Sequence, residues 1–436
     1  MWSLITIVIS LVLLIVLALR GFSIIIIAPV VSLFVMVTNG LPVLETFQET
    51  YMSGFINYVK NYFLIFLFAA IFGKLMDDSG AARQIANLLL KIVGKDSKYK
   101  VLVAVMIICA FLTYGGISLF VVIFAVLPIA KPLFKELDIP WHLFMAPFFT
   151  GIGTFTMTML PGTPSVQNII PTKYLGTTVT AAPLLGIIAA VFVIVINLWY
   201  MKFALKRSEA RGETYAGMTN PDNGDEESIK DIYEGRKLPN QYVSLIPPIA
   251  LLVTLNLFEV QIIYTLMGVV LLTTILFWRN IEIKKDTVNN GATSAVLPII
   301  NTSADVGYGS VIAITAGFTI FNDAMSNIPG SPLISLFIAT TALAGITGSS
   351  SGGLGISMEA LSQTYLNLGL NPEAMHRVAS VASGGLDSLP HNGAVITILV
   401  ASKLTHKDAY KHIFAVSVIA PLIAAIPMLI AAVLLY

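Results

Sequence analysis

Residues 344–356 read AGITGSSSGGLGI, five glycines and three consecutive serines set between two apolar runs. Glycine in that density halts an apolar helix, and the hydroxyls place polar groups where lipid offers no partner. A second interruption follows at Asp387–Gly393, within ASGGLDSLPHNGAVI. The earlier half of the chain breaks in the same order, first at Thr113–Ser118 in AFLTYGGISLFVV and then at Pro161–Pro164 in FTGIGTFTMTMLPGTPSVQN. Thr113 precedes Pro161 by 48 positions and Thr347 precedes Pro390 by 43, so the spacing nearly repeats. One such Gly or Pro alone is ordinarily a kink or a close packing point. Four in matched order mark an internal repeat.

The surroundings are those of a chain that lives in lipid. Of 436 residues, 56% are apolar and 11% charged, with a mean hydropathy of +0.85, whereas a soluble globule carries about a quarter charged residues. Apolar runs long enough to span a bilayer fall near 3–19, 22–38, 58–76, 101–131, 141–171, 178–201, 242–258, 261–278, 292–321, 333–366, 374–403 and 412–435. The first lacks a basic leader and a cleavage site, so it reads as a retained span. With 101–131 and 333–366 as hairpins and the N-terminus outside, all but three of the 25 Lys and Arg residues fall inside, the exceptions being Lys60, Lys173 and Arg377. Both termini are then outside. The polar stretch 206–240 becomes a cytoplasmic linker between a first half, 1–205, and a second, 241–436. Ser79–Gly94 has the spacing of an interfacial helix, and Cys109, the lone cysteine, reads as a small packing residue.

The expected fold is an all-α polytopic membrane protein made of two inverted-topology repeats. Each holds a re-entrant hairpin (101–131 and 333–366) and a broken transmembrane helix (141–171 and 374–403). Arms of about a dozen residues reach ~18 Å, short of the ~30 Å hydrocarbon core, so they enter and return. The charge count opens the first hairpin inward and the second outward. Paired interruptions in two inverted halves are the sequence pointer to a transporter's substrate site. A helix broken at that depth leaves backbone N–H groups for an anion, each terminus contributing ~0.3–1 kcal/mol, or up to ~2 when partly buried. Several converging termini with hydroxyl donors supply the ~4–8 kcal/mol of millimolar to micromolar binding. No buried arginine is needed, and none stands beside these breaks in the sequence.

At TYGGIS, LPGTPSVQN, GSSSGGLGI and LDSLPHNGAV the chain resembles the gluconate permease family, and the likeness covers nearly its whole length. The resemblance implies an elevator-like, dimeric carrier of the bacterial inner membrane that couples uptake of gluconate or a related hydroxy-monocarboxylate to protons. Carried over position by position, the substrate-binding residues are Thr113, Gly115, Gly116 and Ser118 at the first tip, with Thr163, Ser165 and Asn168 at the first break. Ser349, Ser350, Ser351 and Gly352 at the second tip and Ser388, His391 and Asn392 at the second break complete the set. Small hydroxyls and two asparagines suit a shorter acid, such as 3-hydroxybutyrate or lactate, better than a polyhydroxylated one.

Ionisable groups at membrane depth are costly and usually functional. The proton-coupling candidates are His391, Asp387, Asp305 and Glu359. His391 stands four residues after Asp387 and can pair with it, or Asp387 caps a half-helix while His391 donates to substrate. Asp305 is either a second titrating group or is satisfied by Thr302 and Ser303 at a break. Sodium coupling, as in di- and tricarboxylate carriers, would use hydroxyls and carbonyls at the same breaks. A passive anion channel could also use hairpins and broken helices. An intramembrane serine protease is the enzyme alternative, but the serines of SSS have an ordinary role as hairpin-tip donors, so no catalytic residue is assigned. The expected partners are the anion, protons or sodium, the bilayer and a second copy, with no metal, cofactor or nucleic acid.

Overall fold

A computed structural model describes residues 2–20, 22–94, 96–117, 119–215, 237–320, 331–390 and 392–436. Ser118 and His391 lie outside the described residues, as does 216–236 of the central linker. The described residues are helical throughout, without strands. The first half runs α1 (Trp2–Leu19), α2 (Ile24–Thr38), the long α3 (Val43–Asp78) and the short α4 (Ala81–Val93). The hairpin α5 (Lys98–Tyr114) and α6 (Leu119–Glu136) comes next. An interrupted helix follows, α7 (Met145–Gly153) and α8 (Val166–Leu175), and then α9 (Pro183–Ala210). The second half repeats the order with α10 (Ile246–Asn256), α11 (Ile262–Phe277) and the long α12 (Lys284–Ala313). Its hairpin is α13 (Pro332–Thr347) and α14 (Ser350–Asn367). Its interrupted helix is α15 (Pro372–Ser383) and α16 (Gly393–Ala401), and α17 (His406–Leu435) closes the chain.

Equivalent helices of the two halves pack together, α3 along α12 and α9 along α17. Their faces invert the soluble pattern. Along α9, Leu184, Ile187, Val191, Val195 and Trp199 are exposed at helical spacing, while Gly186, Ala189, Ala190 and Asn197 are buried. Likewise α17 exposes Ile423, Ile426 and Ile430 and buries Ala420, Ala424 and Ala425. Large apolar side chains outside and small ones between helices are what a hydrocarbon solvent selects, since lipid accepts the former and close backbone approach needs the latter. By length and composition α3, α9 and α17 can each cross a membrane.

Small residues also set the hairpins. A methyl group at Gly353 would drive into the backbone of Ala344 and stand 2.7 Å from the Leu343 carbonyl carbon, so α13 and α14 touch backbone to backbone. Gly151 plays the same part between α7 and α5, where an added Cβ would meet Cys109 Cβ at 2.5 Å and Met106 O at 2.6 Å. The arms are longer than the dozen residues expected, at 17 and 18 residues in the first hairpin and 16 and 18 in the second. They reach about 24–27 Å. The difference comes from polar helix ends such as Lys98–Lys100, which a count of apolar residues leaves out.

Candidate functional site

Each hairpin turns at glycine and is fastened to the interruption in its own half. At the first tip Gly116 takes φ +85°, a left-handed conformation costly to any residue with a Cβ. Beside it, Tyr114 Oη donates to Pro161 O at 3.0 Å. At the second tip Gly348 takes φ +60°, and the side-chain amide of Asn392 donates to Gly348 O at 2.8 Å.

The two interruptions are then closed by their own asparagines. Asn168, fully buried, donates to Thr163 O at 2.9 Å and Val179 O at 2.7 Å, and its Oδ1 accepts from His376 and from Arg377. All of its capacity is thus taken by protein groups. Asn392 also donates to Asp387 O at 2.9 Å, and its Oδ1 caps α16 by accepting from Val395 N at 2.8 Å. Ser388 donates to Asp387 Oδ1 at 3.0 Å, and Tyr410 donates to Ser388 O at 3.1 Å.

The first interruption contradicts the expectation that no arginine attends these breaks. Arg377, counted on the outer side at the start of the broken helix 374–403, is fully buried on α15. Its guanidinium donates to Ala181 O at 3.0 and 2.9 Å, Met159 O at 3.3 Å, Val179 O at 3.2 Å and Asn168 Oδ1 at 3.0 Å. Carbonyls orphaned where a helix stops need donors, and a five-donor fork can serve several at once.

Between the halves lies a cavity of about 580 Å³. The first tip contributes Thr113, Gly116 and Ile117, and the first break contributes Met157, Pro164, Ser165 and Gln167. The second tip contributes Ser351, α12 contributes Asn290, Ser294 and Pro298, and α3 contributes Lys74 and Asp77. Lys74 Nζ stands 2.6 Å from Asp78 and 3.6 Å from Asp77 at that end. The rest of the wall is apolar, with Ile65, Phe66, Ile152 and Val166 among it.

The expected residues are therefore distributed unequally. Thr113, Gly116, Ser165 and Ser351 line the cavity, whereas Ser388 and Asn392 do not. Gly115 packs against Pro248, where a Cβ would stand 2.8 Å from the ring. Ser165 donates to Met157 O, and Ser349 caps α14 by accepting from Gly352 N at 3.1 Å. Thr113 Oγ1, Thr163 Oγ1, Ser350 Oγ and Asn301 Oδ1 are buried with no hydrogen-bond partner in the protein. Buried polar atoms are normally paired, so their presence at the two tips, the first break and the adjoining helix is what a ligand site would leave.

Among the coupling candidates, Glu359 is exposed and accepts from Tyr174 at 2.8 Å, and Asp387 is buried with Ser388 as a partner. Asp305 sits inside unbroken α12. Thr302 and Ser303 do not satisfy it, because their hydroxyls donate to Pro298 O and Ile299 O. The sequence reading missed Gln167, although it stands between the expected Ser165 and Asn168, and it missed Asn290 and Ser294, whose helical positions carry no interruption to draw notice.

A second cavity, about 320 Å³, adjoins the start of the linker. His142 and His412 are buried there and stacked, with Nδ1 to Nε2 at 2.8 Å, and His142 Nε2 meets Glu213 Oε2 at 3.0 Å. Ser208 donates to the same carboxylate oxygen at 2.6 Å.

A family model for GntP family permeases matches residues 2–434. The chain is also 38% identical over 456 residues to YxjC, an uncharacterized transporter of Bacillus subtilis (strain 168), with 96% of both chains covered. With lipid-suited helix faces, a repeated helix order and a polar-tipped cavity, that match over nearly the full length identifies the protein as a member of the GntP family of permeases.

Proposed function

We propose that this permease carries a small hydroxy-monocarboxylate of the 3-hydroxybutyrate, lactate or gluconate class inward across the bacterial cytoplasmic membrane, together with protons. The observation that carries this reading is the cavity shared by the first tip, the first break and Ser351 of the second tip, with the unpaired hydroxyl of Thr113 on its wall and those of Thr163 and Ser350 on residues next in sequence to lining ones. Its volume suits a small-molecule site. Its mostly apolar wall favours an acid with one hydroxyl and a hydrocarbon end over a polyhydroxylated one, whose every hydroxyl would need a partner. Thr113, Gly116, Ser165 and Ser351 touch the substrate; Thr163, Ser350 and Gly352 stand immediately behind. Asn168, Ser349, Ser388 and Asn392 hold the tips and breaks in place.

The repeated helix order supports two inverted repeats with re-entrant hairpins, moving in an elevator-like exchange within a homodimer. The Lys74 end of the cavity lies on the side assigned to the cytoplasm, as does the linker, with both termini opposite. The coupling group lies among Asp305, Asp387, Glu359 and His391. The test is uptake into proteoliposomes under an imposed proton gradient, with 3-hydroxybutyrate, lactate, gluconate, citrate and succinate compared. Saturable, uphill accumulation of a hydroxy-monocarboxylate is expected. Accumulation driven by sodium alone, or simple equilibration, would refute the reading.

A further inference from the structure

The first turn of α14 is approached from two sides. On one, Ser351 lines the cavity. On the other, the Asp305 carboxyl lies so close that a methyl group at Gly352 would stand 2.8 Å from its Oδ2. The two faces are joined, because Thr302, one helical turn before Asp305, has its hydroxyl 3.4 Å from Ser351 Oγ.

This turn is the N-terminus of an 18-residue helix. Ser349 occupies the Gly352 amide through its hydroxyl at 3.1 Å and the Gly353 amide through its carbonyl at 2.9 Å. The amides of Ser350 and Ser351 have no intrahelical acceptor. They form the positive end of α14, attractive to any carboxylate within reach.

Asp305 is 2% exposed, and its Oδ1 has no hydrogen-bond partner. The elements packed along its helix are α2, α3 and α14. Tyr51 and Tyr58 on α3 and Tyr308 on α12 are the titratable groups that feel its charge. The Tyr51 and Tyr58 hydroxyls are themselves unpartnered, and Tyr308 pairs with Ser10 at 2.6 Å. Helix α2 carries no charged residue, α14 carries only the exposed Glu359, and Lys60 of α3 is exposed. An ionised carboxyl so placed is costly unless it uses the helix end or meets a cation.

Resting on the reading of the cavity as an anion carrier's site, we infer that Asp305 and the transported anion compete for the positive end of α14. The anion then binds only when a proton from solution sits on the Asp305 carboxyl. Proton and substrate binding are thereby linked without direct contact, because neutralising Asp305 frees the helix end for the incoming carboxylate.

The experiment measures 3-hydroxybutyrate affinity of the purified full-length protein as a function of pH, and proton uptake on binding in weakly buffered solution. Wild type is expected to lose affinity by about tenfold per pH unit on the alkaline side and to take up about one proton per anion bound. Asp305→Asn, a permanent mimic of the neutral form, is expected to bind with flat pH dependence, to exchange substrate across vesicles, and to fail at uphill accumulation. A retained pH slope or uphill accumulation in that variant overturns the inference. If the variant does not fold, the wild type still decides, since binding at alkaline pH without proton uptake overturns it. A wild type that binds none of the hydroxy acids at any pH overturns the carrier reading beneath it as well.

Discussion

Replacing Arg377 by methionine tests how the first interruption is held. The guanidinium is fully buried and makes five hydrogen bonds, to Ala181 O twice, Met159 O, Val179 O and Asn168 Oδ1. Val179 O would keep Gly162 N at 2.9 Å and Asn168 Nδ2 at 2.7 Å, and Asn168 Oδ1 would keep His376 at 3.1 Å. The loss therefore falls on the carbonyls of Met159 and Ala181. An orphaned buried group costs about 1–3 kcal/mol, and relief of the arginine's own desolvation offsets part of it. A net loss of about 3 kcal/mol is expected. Lysine, with a point charge in place of a planar fork, reaches fewer of these carbonyls and should fall between. The assay is thermal unfolding of purified protein in detergent for wild type, R377K and R377M, read by size exclusion or tryptophan fluorescence. The expected order of melting temperatures is wild type, then R377K, then R377M several degrees lower. Equal melting temperatures for R377M and wild type would refute the account of Arg377 as the clamp on this break.

Three further outcomes are expected. Thr113→Ala and Ser351→Ala should each weaken binding of the transported acid by about 3- to 10-fold, the worth of one hydrogen bond, with melting temperature unchanged; calorimetric titration showing wild-type affinity in both would remove the cavity from consideration. Gly353→Val should abolish folded protein, because its side chain has only the backbone of Ala344 and Leu343 to enter, and wild-type yield with a wild-type melting temperature would show that the hairpin spreads freely. Burial raises the Glu213 carboxyl pKa, but hydrogen bonds from Ser208 and His142 outweigh it and hold the pKa below the usual value. The stability this contributes is present above the carboxyl's ordinary pKa and is lost as pH falls through the depressed one. Amide protection at residues 208–215, measured relative to the intrinsic exchange rate at each pH, should accordingly be high at neutral pH and low in strong acid. It should be low throughout in Glu213→Gln, and wild-type protection of that variant at neutral pH would count against the Ser208 and His142 contacts of Glu213 as the hold on this segment.

The helix order, the two hairpins and the two interruptions were legible because glycine, proline and clustered hydroxyls stand out in an apolar chain. AGITGSSSGGLGI turns at Gly348–Ser349, and LPGTPS separates α7 from α8. Arg377 was not legible, since its acceptors lie some 200 residues away and it stands at the very start of the run 374–403, where a charge reads as facing the outer side. Asn168 was legible as a residue of the break but not as one whose bonds are all spent, because that depends on His376 and Arg377 arriving from the other half. Asp305 was legible as an ionisable group at depth. Its approach to Gly352 was not, because contact between α12 and α14 leaves no periodic trace in either segment.

The bonds from Tyr114 to Pro161 and from Asn392 to Gly348 constrain how a cargo can leave. A turn tied to its own fractured helix peels away like a flap only by giving up that hydrogen bond, about 1 kcal/mol. On the proposed elevator-like exchange, tip and break would travel as coupled blocks, with friction along the seams where α3 meets α12 and α9 meets α17. Lipids or substitutions that stiffen those seams should slow turnover while leaving the grip on the cargo untouched.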